Sequence, residues 1–162
     1  MQNIIIVGES GVGKSSYINR LVDNSFYESY MSTISKETHK VQYNDKDYVI
    51  HDTSGNSRFE YLFKEYYKHA NGALIFYSTH VSSAYKWIRK VREENKDIPI
   101  VIVATKRDEV KSVIPKFEYP CVGISSKLGD IDSVLSTIIP LLTPVKVSND
   151  SWVEYFFSCY LQ

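Results

Sequence analysis

The chain has 162 residues, of which 43% are hydrophobic and 14% aromatic, enough for one packed domain and too many for a disordered chain. Its 19 basic and 19 acidic residues cancel, so no strong basic field points to a nucleic-acid partner. Two cysteines, Cys121 and Cys159, make no disulfide framework, no apolar run approaches the ~18 residues of a membrane span, and Met1-Gln2-Asn3 leads on without a signal-peptide pattern. A cytoplasmic, reducing compartment is the expectation.

Ile4, Ile5, Ile6 and Val7 are a continuous β-branched run, the mark of a strand covered on both faces. Residues 8–15 then spell GESGVGKS, which fits G-x-x-x-x-G-K-[ST], and Tyr17, Ile18, Leu21 and Val22 recur on one face of a following helix. Strand, glycine loop and helix together place the amides of Glu9, Ser10, Gly11, Val12, Gly13, Lys14, Ser15 and Ser16 around a phosphate. The glycines permit the wrap and the helix start adds partial positive charge. Lys14 reaches for the β and γ phosphates of a nucleoside triphosphate, and the Ser15 hydroxyl is a magnesium ligand. A capped glycine turn would account for Gly8 and Gly13 but leaves the Lys14-Ser15 pair without a purpose.

A polar, aromatic loop leads to two extended segments, Thr38 to Tyr43 and Lys46 to Asp52, joined by the Asn44-Asp45 turn signal as a hairpin. The second ends in HDTSG, where Asp52 stands at a strand's carboxyl end beside the glycine loop, a position from which it holds magnesium through water. Phe59, Leu62, Phe63, Tyr66, Tyr67 and Ala70 predict a helix, ALIFYS at 73–78 a strand, and Ala84, Trp87, Ile88 and Val91 another helix. Ile98 to Ala104 is a fifth strand and Cys121 to Ile124 a sixth. Ile131, Val134, Leu135, Ile138 and Leu142 form the inward face of a last helix that Pro140 kinks or ends. The alternation predicts a three-layer α/β fold: a mostly parallel six-stranded sheet with one antiparallel edge strand, binding at the carboxyl ends of its strands.

Two polar signatures fall at that edge, TKRD at 105–108 and SSK at 125–127. The Asp108 carboxylate can accept from N1 and the exocyclic N2 of guanine, a donor pair adenine lacks. Lys106 and Lys127 can lay aliphatic stems on the ring, and a backbone amide near Ser126 can meet O6. Either signature alone is an ordinary charged turn; their order after the phosphate loop favours guanine.

In these motifs, with the ST of YMST and the DTSG, the chain resembles small GTPases of the Ras superfamily, Rab-like in residues 66–78 and with shortened outer helices. The resemblance spans about residues 2–143 and implies the P-loop GTPase fold in a G domain over 1–143, with a tail over 144–162. It implies that Thr33 reaches magnesium and the γ phosphate of bound GTP, that the Gly55 amide senses that phosphate, and that Phe26 packs beside the guanine. It further implies exchange factors, GTPase-activating proteins and effectors as partners, a monomer, and GTP hydrolysis to GDP without a covalent protein intermediate.

Several residues depart from the family pattern. Asn56 stands where the family has its catalytic glutamine, one methylene shorter, so its carbonyl falls roughly 1 Å short of the attacking water and turnover should be slow. Ser54 and Thr105 replace the usual alanine and asparagine, and Ser125 and Ser126 head SSK where SAK is common. Pro115 and Pro120 leave little more than a turn between TKRD and SSK. The tail ends CYLQ, which fits a prenylation box loosely: Cys159 is a candidate farnesylated cysteine giving peripheral contact with a cytosol-facing membrane, and the alternative is a packed aromatic helix. Two function classes follow, a slowly hydrolysing GTPase switch in trafficking or signalling and a constitutive guanine-nucleotide-binding scaffold with negligible turnover.

Overall fold

The computed structural model describes residues 1–28, 37–55, 64–110 and 114–142. Within them β1 (Gln2–Gly8), β2 (Glu37–Tyr43), β3 (Lys46–Asp52), β4 (Gly72–Tyr77), β5 (Ile100–Ala104) and β6 (Cys121–Gly123) form one sheet in the order β2-β3-β1-β4-β5-β6. Only the edge strand β2 runs antiparallel to its neighbour, so the carboxyl ends of the other five share one edge, as the alternation predicts. The helices are α1 (Lys14–Asp23), α2 (Lys64–His69), α3 (Val81–Glu94) and α4 (Ser133–Ile138).

The hairpin forms where the turn signal stood. Asn44 (φ 48°) and Asp45 (φ 60°) are both left-handed, the mirror-image turn whose twist matches that of the strands it joins. In the central strands the two-residue period divides the apolar residues between the sheet faces. Ile4, Ile6, Leu74, Phe76, Val101 and Val103 pack with Tyr17 and Ile18 of α1 and Val134, Leu135 and Ile138 of α4. Ile5, Val7, Ile75, Ile100 and Ile102 pack with Tyr67 of α2 and Ala84, Trp87, Ile88 and Val91 of α3. A continuous apolar run in sequence thus serves two cores at once, each fully buried Ile or Leu stabilising the fold by about 1.5–3 kcal/mol.

Some boundaries differ from those the sequence suggests. Val22 is exposed at 45%, because it lies in the last turn of α1, where the chain leaves the helix through left-handed Asn24. Ile98 and Pro99 precede β5; Pro99 has no N–H for the ladder and contributes only its carbonyl, to Ala73 N at 2.9 Å. α4 is six residues long and gives way to a single 3-10 turn, Ile139–Leu141, containing Pro140. No helix occurs between β5 and β6 among the described residues, in keeping with a shortened crossover. Of the helix expected from Phe59 onward, the residues before Lys64 lie outside the described ones, as does the tail over 144–162.

Candidate functional site

The glycine loop leaves β1 at Gly8 and enters α1 at Lys14. Gly13, at φ 96°, caps the helix in a conformation that side chains resist, which turns the loop back over the strand edge. Asp52 closes β3 in register with Ile6 of β1, so a carboxylate is delivered beside the loop by strand pairing alone. Thr53 fixes that junction by donating to Ile6 O at 2.7 Å.

Three side chains converge here. The Lys14 ammonium is buried and donates to Gly8 O and Glu9 O, each at 2.9 Å, which leaves one of its three donors for a ligand. Burial pulls its pKa down to about 8, while Asp52 and Glu9 work against that shift. The Ser15 hydroxyl donates to Asp52 Oδ2 at 2.7 Å. Asp52 Oδ1 is buried and has no hydrogen-bond partner among the described residues, and burial raises the carboxyl above its ordinary range against the pull of Ser15 and Lys14. A buried carboxylate oxygen without a donor is costly unless a cation or its water supplies one. With hard oxygen ligands at Ser15 and Asp52, this pair fits magnesium.

Gly55 lies against the same loop. A Cβ there would meet Ser10 N, Glu9 C and Glu9 O inside van der Waals contact, so only glycine lets the chain after β3 approach the phosphate loop this closely. Glu9 also takes an ion pair from Lys86 of α3, at 2.7 Å. The amides of Glu9, Ser10, Gly11, Val12, Gly13 and Ser16 all belong to this loop and helix start.

The second cluster is at the ends of β5 and β6. The buried Thr105 hydroxyl lies 2.5 Å from Val12 O and 3.0 Å from Tyr77 O, joining this corner to the phosphate loop and to β4. Lys106 is exposed and left-handed at φ 56°. Ser125 donates to Asp108 Oδ1 at 2.6 Å, and Arg107 N bonds Ile124 O at 3.0 Å, so the TKRD and SSK loops are one assembly. Lys127 pairs with the exposed Glu28 at 3.2 Å, which ties the half-buried Phe26 segment to the same corner.

Sequence reasoning missed two residues. Arg20 of α1 donates from Nε to Ser126 O at 2.9 Å and from Nη2 to Lys127 O at 3.2 Å. Lys86 meets Glu9 from α3. Neither belongs to a local motif; each acts on a partner far along the chain. Thr33, Asn56 and Cys159 lie outside the described residues.

The family profile described as Ras family matches residues 3–119, most of the chain and every element from β1 through β5. The chain belongs to the Ras family. Among Rab-type relatives it is 31% identical over 140 residues to Ras-related protein Rab-11C of Dictyostelium discoideum, covering 80% of this chain and 62% of that protein. It is 30% identical over 140 residues to Ras-related protein Rab7 of Prunus armeniaca, covering 84% and 61%. It is 31% identical over 116 residues to Ras-related protein Rab-15 of Mus musculus, covering 65% and 54%. The chain is thus a Rab-like member with the P-loop GTPase fold of the Ras family, and it spans between about half and about three fifths of the length of these relatives. Ser125–Lys127 lies beyond the span matched to the Ras family, so the SSK half of the second cluster rests on its own geometry.

Proposed function

We propose that this chain is a small GTPase switch that binds GTP and GDP with magnesium and hydrolyses GTP slowly, controlling partner binding in trafficking or signalling. The observation that carries the reading is the buried Asp52 with one oxygen on Ser15 and the other lacking a donor, beside a lysine with a donor to spare. The second cluster supplies the choice of base through Asp108, the stems of Lys106 and Lys127 and the Ser126 amide, with Phe26 beside the ring. Residues 1–143 are the nucleotide-binding unit and 144–162 a tail whose Cys159 is a candidate lipid site for peripheral membrane contact. The expected partners are an exchange factor, a GTPase-activating protein and effectors, for a monomer facing the cytosol and not binding nucleic acid.

In this reading Ser15, Asp52 and Thr33 are the residues that would hold magnesium, Asp52 through water. Magnesium held there would neutralise phosphate charge. Lys14 turns its ammonium from the carbonyls of Gly8 and Glu9 toward the β and γ phosphate oxygens, and the loop amides stabilise charge that grows in the transition state. Gly55 presents its amide to the γ phosphate, so loss of that phosphate releases the segment lying on Glu9 and Ser10. Asn56 orients the attacking water from too short a side chain.

Single-turnover GTP hydrolysis with magnesium, native against Asn56→Gln, tests this. Native turnover should be slow and the substitution should raise it, by up to about 100-fold if reach is the defect. Rapid native turnover without a gain would remove the reach defect. Tight guanine-nucleotide binding with no turnover in either protein would favour the scaffold, which the Asn56 position itself motivates.

A further inference from the structure

Arg20 lies on α1 and points neither at the phosphate loop nor into a core. Its Nε and Nη2 donate to the carbonyls of Ser126 and Lys127, while Nη1 donates to Asn24 O at 2.8 Å and Asn24 Oδ1 at 3.2 Å. Asn24 is the left-handed cap of the same helix. The guanidinium is therefore anchored at its helix end and grips two successive carbonyls of the 125–127 loop, a task suited to a rigid planar fork with five donors.

The other side of that loop is fixed as well. Ser125 and Asp130 exchange both main-chain bonds, Ser125 N to Asp130 O at 3.1 Å and Asp130 N to Ser125 O at 3.0 Å. A trans peptide sets its N–H opposite its carbonyl, so the Ser126 N–H points away from Asp130. Ser126 is buried, and no described residue accepts from that N–H. One donor is thus held between two fixed carbonyls, next to the Asp108 carboxylate that Ser125 orients.

We propose that Arg20 is a positioning residue for base selectivity: it fixes the Ser126–Lys127 backbone so that the Ser126 N–H meets the C6 oxygen of guanine. The proposal rests on the guanine-nucleotide reading above. It divides recognition into two separable parts. Asp108 reads N1 and N2 without help from Arg20, and the C6 oxygen is read through Arg20.

The test uses the full chain with magnesium and three diphosphates. These are GDP, 6-thio-GDP, which keeps N1–H and N2 but replaces the C6 oxygen by a weak acceptor, and IDP, which keeps that oxygen and lacks N2. The native protein should prefer GDP to both. In Arg20→Ala the preference over 6-thio-GDP should fall by roughly five- to tenfold while the preference over IDP stays within about twofold, one backbone hydrogen bond having been lost. Arg20→Lys, which keeps one donor for the loop, should fall between. It decides the matter if the alanine variant does not fold. Both preferences surviving, or both falling together, in the folded variants overturns the positioning role. With ADP run alongside as a fourth diphosphate, a native protein that does not prefer GDP to it overturns the guanine reading itself, and with it this proposal.

Discussion

Cys121 shows how a residue's surroundings set its chemistry. It is half-buried at the start of β6, and burial pushes its thiol up to about 11 from an ordinary 9.0, with a Tyr77 hydrogen bond and the Arg107 charge pulling the other way. Only the thiolate is nucleophilic, so alkylation of Cys121 should be slow at neutral pH and climb about tenfold per pH unit until it levels near 11. Peptide-resolved mass spectrometry, which separates Cys121 from Cys159, reads this directly; a plateau near pH 9 would contradict it. The linkage has a definite sign: the unfolded thiol releases its proton first as pH rises, so this group's contribution to stability is complete below 9 and is lost between 9 and 11. Nothing in the sequence around Cys121 signals the shift, because the burial comes from elements brought up by the sheet. Lys14, Ser15 and Asp52 were legible for the opposite reason. The first two are locked by motif spacing, and the third sits where an antiparallel hairpin must end.

At the scale of elements, the hairpin turn is the clearest success and retains some strain. Asn44 and Asp45 both sit at positive φ, which asparagine tolerates better than most residues and glycine better than either. Asp45→Gly should therefore stabilise the fold by roughly 0.5–1 kcal/mol, raising the thermal midpoint by about 2 °C. An unchanged or lower midpoint in a calorimetric scan would mean that the turn is not under this strain. The apolar face of α3 was read in full from Ala84, Trp87, Ile88 and Val91, since one long periodic helix advertises its face four times. α1 was read less well. Its period extends to Val22, which the helix includes but leaves exposed in its last turn, and periodicity says nothing about where a helix outruns what it covers. Arg20 was invisible for a related reason: its partners arrive from the far end of the chain, and only the assembled sheet brings them near.

Across the whole molecule, the alternation of strands and helices was enough to give the sheet and the edge that carries the candidate site. Alternation cannot show how unevenly the sheet is supported. β1, β4 and β5 are central and buried on both faces, β2 is an edge, and β6 is three half-buried residues paired on one side only. Native-state hydrogen exchange should find its slowest amides in β1, β4 and β5, with β6 and β2 opening at lower free energy. Uniform protection across all six strands would refute this gradient. The TKRD and SSK loops leave β5 and β6, so half of that corner rests on the weaker support, and its tethers to α1 matter more than they would on a longer strand.

Thr105 joins the two halves of the site. A hydroxyl has a single proton, yet two carbonyls, Val12 O and Tyr77 O, lie within its reach. At any instant only one of them can receive it fully. The carbonyl of the glycine loop and that of β4 therefore compete for one proton. An amide side chain there, with two protons, could hold both carbonyls at once. This chain has the single-proton joint, so Thr105 ties the glycine loop and β4 to β5 through one shared donor.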